Sequence, residues 1–404
     1  MKKLVKERKG QFVIIAVLMI AIMIISIGAL MHRAVTYYRH EPWEEYLALM
    51  GNIELNSKRL VELSLANYSF TLDQGILKSN LEKWSADVSK IYLGRGVNLN
   101  YSLANGYYNV YGTLICYSFG LNHSWWKPTS YTTANATFTL DISSIGLQGY
   151  KFAARASLKI MNTSRPTIVK EPTRYIYSIN VTVTDENNNP ITSLRKENFI
   201  ISGLNYMSFS VSQAYDGKYG VVYTIKCEAP RPSSEIQMII AVCDHRGIKA
   251  ISKMFQSKIE TKSPTNTSGQ WIDPTYAYDD DSNYARTNID GAAQLYHGYG
   301  FAIPNGSQII SVRVGLDAFT EEDEEIRLYV SPDGGKNWLN SWSSGKLPNN
   351  ETTFWVDVTN WTDWSAEDIS NNMIWTKVEH NKQGGKSSNI YLDWIRVEVT
   401  YIPP

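Results

Sequence analysis

The chain has 404 residues with 39 basic and 39 acidic side chains, a formal net charge of zero, and that length implies several domains. An aromatic content of 12%, with 26 Tyr and 12 Trp, excludes wholesale disorder. The balanced charge argues against a nucleic-acid partner, and three cysteines exclude a disulfide-dense scaffold or a multi-cysteine metal cluster.

The N-terminus sets the compartment. Residues 1–10 form a basic leader, with Lys2, Lys3, Lys6, Arg8 and Lys9 against Glu7. That is a local charge of +4, so residues 11–404 carry −4. Phe12 to Met31 is uncharged and nearly all apolar. Twenty residues of helix span roughly 30 Å, the thickness of a bilayer's hydrocarbon core. Residues 11–31 are therefore predicted to be a single-pass transmembrane helix. The basic flank is expected in the cytoplasm and everything after Met31 outside the cell. The flank Met31-His32-Arg33-Ala34-Val35 lacks a small-x-small cleavage site, which predicts a retained segment rather than a secretory signal.

The junction Lys9-Gly10-Gln11, a basic leader ending in Gly directly before an apolar helix, resembles the class III signal peptides of archaeal type IV pilin-like proteins. The resemblance covers about the first thirty residues. It implies processing between Gly10 and Gln11, after which the helix packs into a filament core by self-association or stays in the membrane. Ile15 stands at the fifth mature position, where pilins often carry Glu. A plain signal anchor is the other reading, and both stay open. Ten Asn-x-Ser/Thr sequons follow the apolar segment, at Asn67, Asn100, Asn122, Asn135, Asn162, Asn180, Asn266, Asn305, Asn350 and Asn360, as in a glycosylated ectodomain.

Periodicity organises the remainder into a mainly β chain. Residues 32–99 read as a helical stalk. Glu41-Pro42 signals a helix start, and Leu47, Met50, Leu60, Val61 and Leu65 lie on one stripe. A second stripe of Leu77, Leu81, Trp84, Val88 and Ile91 opens at Thr71 or Asp73 as cap. From residue 100 the period becomes two. Residues 100–165 are expected to form a β domain, with Phe138, Leu140 and Ile142 on one face. In residues 166–258, VTVTDENNNPI and AVCDHRGIKA resemble the Ig-like modules of microbial surface proteins. Cys227 and Cys243, placed on a hairpin, lie too far apart for a bridge, so they and Cys116 are predicted to be free buried thiols. Residues 259–270 read as a polar linker. Residues 271–404, rich in short strands, read as a jelly-roll β-sandwich. Their opening WIDPTYAYDDDSNYA and closing YLDWIRVEV resemble a sandwich module at the ends of surface and phage-tail proteins, which implies binding or display.

Candidate sites are sparse. Asp279, Asp280, Asp281 and Asn283 form an oxygen-rich cluster suited to Ca²⁺ or to a hydrogen-bonded turn. Asp393 shares alternation parity with Ile395, Val397 and Val399, so it is expected to point inward toward a metal or an Arg such as Arg286. Structural calcium is the one cofactor this allows. Ser331, Asp333, Gly335 and Trp338 fit the Asp-box pattern and resemble the structural turns of sialidase propellers, with Trp338 packed beneath the turn. Glu321 to Glu325 reads as a solvated acidic loop. Of the C-terminal tryptophans, Trp355 and Trp375 sit in strands and are expected in the core. Trp361 and Trp364 are the exposed candidates for stacking on sugar rings. No HExxH, G-x-S-x-G, P-loop or CxxC occurs, so an enzyme is not expected. The functional expectation is a membrane-anchored structural or adhesion protein at the cell surface, meeting a glycan or protein ligand. A filament subunit and an accessory protein to carbohydrate-binding or envelope hydrolysis are the alternatives.

Overall fold

The computed structural model describes residues 2–39, 43–110, 113–125, 129–171, 173–232, 234–382 and 388–404. The helix-start signal Glu41-Pro42 lies outside the described residues. The chain forms two compact units. One contains Met1–Val61, Lys78–Leu103 and Asn135–Ala154; the other contains Glu62–Leu77, Ala104–Ala134 and Arg155–Pro404.

The helices come first: α1 (Lys2–Arg39), α2 (Trp43–Thr71) and α3 (Ile76–Ile91). The strands β1 (Val97–Leu103), β2 (Gly106–Val110), β3 (Thr113–Tyr117), β4 (Leu121–Ser124), β5 (Thr129–Ile142) and β6 (Leu147–Asn162) follow. Next come β7 (Thr167–Lys170), β8 (Arg174–Thr184), β9 (Phe199–Ser202), β10 (Ser208–Asp216), β11 (Gly220–Pro230), β12 (Gln237–Cys243) and β13 (Lys249–Gln256). The C-terminal third holds β14 (Lys258–Lys262), β15 (Asn266–Gly269), β16 (Ala285–Thr287), β17 (Ala293–His297), β18 (Gln308–Thr320) and β19 (Glu324–Ser331). It closes with β20 (Ser341–Ser343), β21 (Thr352–Asp357), the short α4 (Ala366–Ser370), β22 (Trp375–Lys382) and β23 (Ile390–Ile402).

Within the first unit, α1 carries the apolar run Val13–Arg33, long enough to cross a bilayer and unburied along its length. Glu44 and Glu45 sit in the first turn of α2, where the helix dipole favours negative charge. Leu49, Ile53 and Val61 of α2 and Leu81 and Val88 of α3 are buried, while Leu47 and Ile91, at the ends of their stripes, are exposed. The Trp84 indole donates to Ser57 Oγ at 2.9 Å, joining the two helices. Asp73, in the part of the chain that belongs to the second unit, accepts from the Gly75 amide at 2.9 Å in a turn that precedes α3, and so does not cap the helix. Strand β1 pairs antiparallel with the second half of β5, from Val97 opposite Ile142 to Leu103 opposite Ala136. Phe138, Leu140 and Ile142 are all buried, and Phe138 stacks on Phe152 at 4.9 Å.

In the second unit, β7, β8, β11 and β10 lie in one antiparallel sheet, while β9, β12 and β13 form another. Rings from the two sheets meet: Tyr177 on Phe255 at 5.6 Å and Phe199 on Tyr223 at 5.3 Å. The turn after β8 is built as its composition predicts. Asp185 Oδ1 accepts from the Asn187 and Asn189 amides, both at 2.8 Å, and Asn188 takes φ +60°. The cysteines are free, but the geometry differs from a hairpin. Cys227 on β11 and Cys243 on β12 belong to different sheets. Burial pushes the Cys227 thiol up to about 12, whereas Cys116, expected in the interior, is exposed.

The segment 259–270, read as a linker from its polarity, supplies two strands instead. Here β14 pairs with β23 and β15 with β17. Polar side chains suit these positions because both are outer strands of their sheets. The terminal sandwich thus contains two five-stranded antiparallel sheets, β14-β23-β18-β21 with β16 on β23, and β15-β17-β22-β19-β20. Its core includes Val312, Val314 and Leu316 of β18, Leu328 and Val330 of β19, Val378 of β22, and Ile395 and Val397 of β23.

Candidate functional site: the outer faces of the terminal sandwich

Alternation on β22 buries Thr376, Val378 and His380 completely and turns Trp375, Lys377 and Glu379 outward. Register then assembles a row across three strands, with Leu295 of β17 and Tyr329 of β19 on either side of Lys377. His297, at the end of β17, stacks on Trp375 with centroids 4.0 Å apart and planes at 9°. Burial lowers the His297 pKa, which favours the neutral ring in that stack. Lys377 Nζ stands 3.9 Å from the Tyr329 ring centre, 5.5 Å from that of Trp338 and 3.3 Å from Glu379. The face therefore combines half-buried flat rings with charged hydrogen-bonding groups.

The Asp-box sets one end of this row. Ser331 Oγ donates to Asp333 Oδ1 at 2.7 Å, and Asp333 accepts from the Asn337 amide at 2.9 Å. These bonds pull the Asp333 carboxyl down to about 2. Gly335 takes φ +84°, and a Cβ there would stand 2.8 Å from Trp375 Cε3. Trp375 is thus a ring packed against the turn.

Trp364 and Trp355 exchange the roles expected of them, while Trp361 and Trp375 are both half-buried. Trp364 is only 7% exposed and donates to Val358 O at 2.9 Å, and Trp361 packs partly buried on the same core. Trp355 is 40% exposed and Trp375 half-buried. The TNWTDW loop folds its rings inward, while the strand rings fall on outward positions of the alternation.

On the other sheet the outward groups are interlocked. Arg313 and Arg396 stand 4.7 and 4.8 Å from the Trp355 ring centre, and Arg396 lies 3.8 Å from that of Trp394. Arg313 reaches Glu398 at 2.5 Å, and Arg396 Nη1 donates to Asp317 Oδ2 at 2.6 Å. Gly315 lies beneath: a Cβ there would stand 3.0 Å from Arg396 Cγ and 3.1 Å from Trp355 Cη2.

This ladder ends at a carboxylate cluster that contains only part of the expected one. Carboxylate oxygens of Asp280, Asp317 and Glu351 lie within 4.8 Å of one another. Asp393 meets the same group, and its pKa is raised to about 7 by burial first, then by the Glu351 carboxyl and the Asp280 charge. A register shift between Asp317 and Ala318 leaves Asp393 as the extra residue between Leu392 and Trp394. The bulge, not the simple parity with Ile395, aims its side chain. Asp281 and Asn283 make their own turn instead, with Asn283 N and Nδ2 on the Asp281 carboxylate at 3.0 and 2.8 Å. Asp279 is exposed, and so is Arg286; Arg396 is the guanidinium beside this cluster. Asp317 and Glu351 were missed because they lie far from 279–283 in sequence. An Asp inside the apolar strand VRVGLDAF was a signal for the first; nothing marked Glu351.

The acidic run 321–325 also divides. Glu324 and Glu325 are buried within β19, where Glu324 Oε2 lies 3.1 Å from His380 Nε2, and only residues 321–323 form an exposed turn. Among the sequons, Asn67, Asn100, Asn266, Asn305, Asn350 and Asn360 are exposed, Asn122, Asn162 and Asn180 are half-buried, and Asn135 is buried within β5. Gly10 and Gln11 lie inside the continuous α1.

No protein-family profile matches the sequence, and no curated protein matches it. Among solved structures, the C-terminal CBM6 of the laminarinase LamC from Zobellia galactanivorans is 13% identical, at a TM-score of 0.21, covering 35% of this chain and 98% of its own. The K1 cleaved adhesin domain of Lys-gingipain from Porphyromonas gingivalis is 14% identical, at 0.22, covering 35% and 97%. The family 11 carbohydrate-binding module from Clostridium thermocellum, in complex with a mixed-linked tetrasaccharide, is 14% identical, at 0.21, covering 35% and 87%. The chain thus contains a β-sandwich domain resembling carbohydrate-binding modules and adhesin domains.

Proposed function

We propose that this is a membrane-anchored cell-surface protein, a binder rather than an enzyme, whose terminal sandwich contacts surface glycans. The observation that carries the reading is the row of Trp375, His297, Tyr329 and Trp338 around Lys377 and Glu379. Flat rings receive the apolar face of a sugar, and the flanking charges take its hydroxyls. The apolar run Val13–Arg33 supports an anchor, the basic leader supports a cytoplasmic N-terminus, and the exposed sequons support a glycosylated exterior.

The full chain in detergent micelles is tested on a panel of immobilised polysaccharides, with Trp375→Ala as the probe. Retention by at least one glycan, weakened tenfold or more by the substitution, is expected. No retention on any glycan, or retention indifferent to Trp375, sinks the reading and turns attention to a protein ligand. A second reading, a filament subunit, draws on the Lys9-Gly10-Gln11 junction. Mass spectrometry of the mature N-terminus separates the two: a start at Gln11 favours the filament, and an intact leader favours the anchor.

A further inference from the structure

We propose that a cavity of about 690 Å³ within the second unit binds an anionic sugar unit, a uronate or a sulfated sugar, at a site separate from the Trp375 row. Three cations line it: Arg165 in the turn after β6, Lys253 of β13 and Lys258 of β14. No acidic side chain lines it. Elsewhere in this unit guanidiniums are held by carboxylates, as Arg174 is by Glu171 and Glu228 and Arg246 by Asp244 and Glu186. Arg165 instead donates to the Gly306 carbonyl at 2.8 Å and Lys253 to the Gln256 side chain, while Lys258 has no partner among the described residues. None of the three is ion-paired, either to a carboxylate side chain or to Pro404 on the lining. Glu260, two residues further along β14, is engaged by the Tyr401 hydroxyl at 2.7 Å and lies outside the lining.

Charges of one sign around a concave, low-dielectric wall concentrate ions of the other sign. A guanidinium fork and two ammonium groups suit an oxyanion, and the bond to Gly306 leaves further N–H groups of Arg165 for it. The rest of the lining selects an anion carried on a sugar. Asn162 Oδ1 is buried without a hydrogen-bond partner, and such an acceptor calls for a donor. A sugar hydroxyl is a donor, whereas a bare sulfate or carboxylate ion offers none. Pro166, Ile402 and Pro403 add apolar wall for the C–H face of a ring. The volume also falls in the range of small-ligand sites, roughly 300–1,000 Å³, and is far larger than an inorganic anion fills.

The full chain, made in a host that does not N-glycosylate so that Asn162 is bare, is titrated by calorimetry in detergent micelles at low ionic strength. The probes are a trimer of galacturonate, a sulfated disaccharide, a neutral trisaccharide and inorganic sulfate. Saturable binding of at least one acidic sugar, tenfold or more tighter than the neutral sugar and sulfate and weakened by added salt, is expected. Arg165→Gln and Lys258→Gln, both at exposed positions, should each weaken it tenfold or more. Lys262→Gln, the same charge change on β14 but outside the lining, should leave it unchanged, as should Trp375→Ala. If Arg165→Gln lowers the melting temperature through its lost bond to Gly306, Lys258→Gln decides alone. No binding of either acidic sugar up to about 1 mM overturns the proposal, and so does sulfate binding as tightly as the sugars. Wild-type affinity in Lys258→Gln, or an equal loss in Lys262→Gln, overturns it too. Loss in Trp375→Ala alone moves the acidic sugar to the ring row, which overturns this site and leaves the glycan reading standing.

Discussion

The two outer faces of the terminal sandwich carry the same residue types and use them differently. On the β18–β23 face, Trp355 lies under two guanidiniums, and those guanidiniums are already bonded to Glu398 and Asp317. On the β17–β22–β19 face, Trp375, Tyr329 and Trp338 are half-buried side by side, with one lysine shared between two of the rings. Trp355 is the more exposed single ring, yet its polar neighbours face each other rather than a ligand. What separates a clasp from a binding face is whether the charges beside the rings are already satisfied by one another.

The clasp is expected to break first, and hardest, at Arg396. Arg396→Leu leaves the buried Asp317 carboxylate without its guanidinium and should cost about 3–5 kcal/mol, read by urea unfolding. Gly315→Ala drives a Cβ into Arg396 and Trp355 and should cost about 1–3 kcal/mol by the same measurement, with glycan retention intact. The tryptophans then exchange phenotypes. Trp375→Ala should lower glycan retention tenfold or more, whereas Trp355→Ala should lower the melting temperature and leave retention unchanged. Equal effects of the two would erase the contrast between the faces.

The smallest effects concern the turn that holds Trp375. Ser331→Ala removes a buried hydroxyl bonded to Asp333 and to the Gly335 amide and should cost about 1 kcal/mol by thermal melting. The Asp333 carboxyl, held at about 2, binds fewer protons folded than unfolded between that value and the ordinary 3.8. Its contribution is therefore complete above pH 3.8 and fades as pH falls toward 2. Intrinsic Trp fluorescence of the folded chain, followed from pH 8 to 4, should report no loosening of this turn.

Much of the architecture was legible because it depends on period. The uncharged run from Phe12, the stripes through Val61 and Leu81, and the alternation through Phe138 and Leu140 each announce an element without tertiary information. The Asp-box was legible as a turn, since its bonds are local. The sites were less so, for three physical reasons. Trp364 and Trp375 were misplaced because loop membership does not imply exposure: a loop ring can fold onto the core, and a strand ring has an outward parity. Asp393 is buried as expected, but the bulge that places it is set by the partner strand. Asp317 and Glu351 meet Asp280 only through the fold, so no spacing in the sequence joins them.

The pairing of β14 with β23 has an evolutionary consequence. Lys258 faces Tyr401 across the ladder, so the sandwich's first strand lies beside its last, and the chain enters and leaves along one edge. A module with adjacent ends can be spliced into a surface loop of an unrelated host, or circularly permuted through a short linker, without disturbing its two sheets. The hydrogen-bonded seam that completes this sheet is also what makes the domain portable.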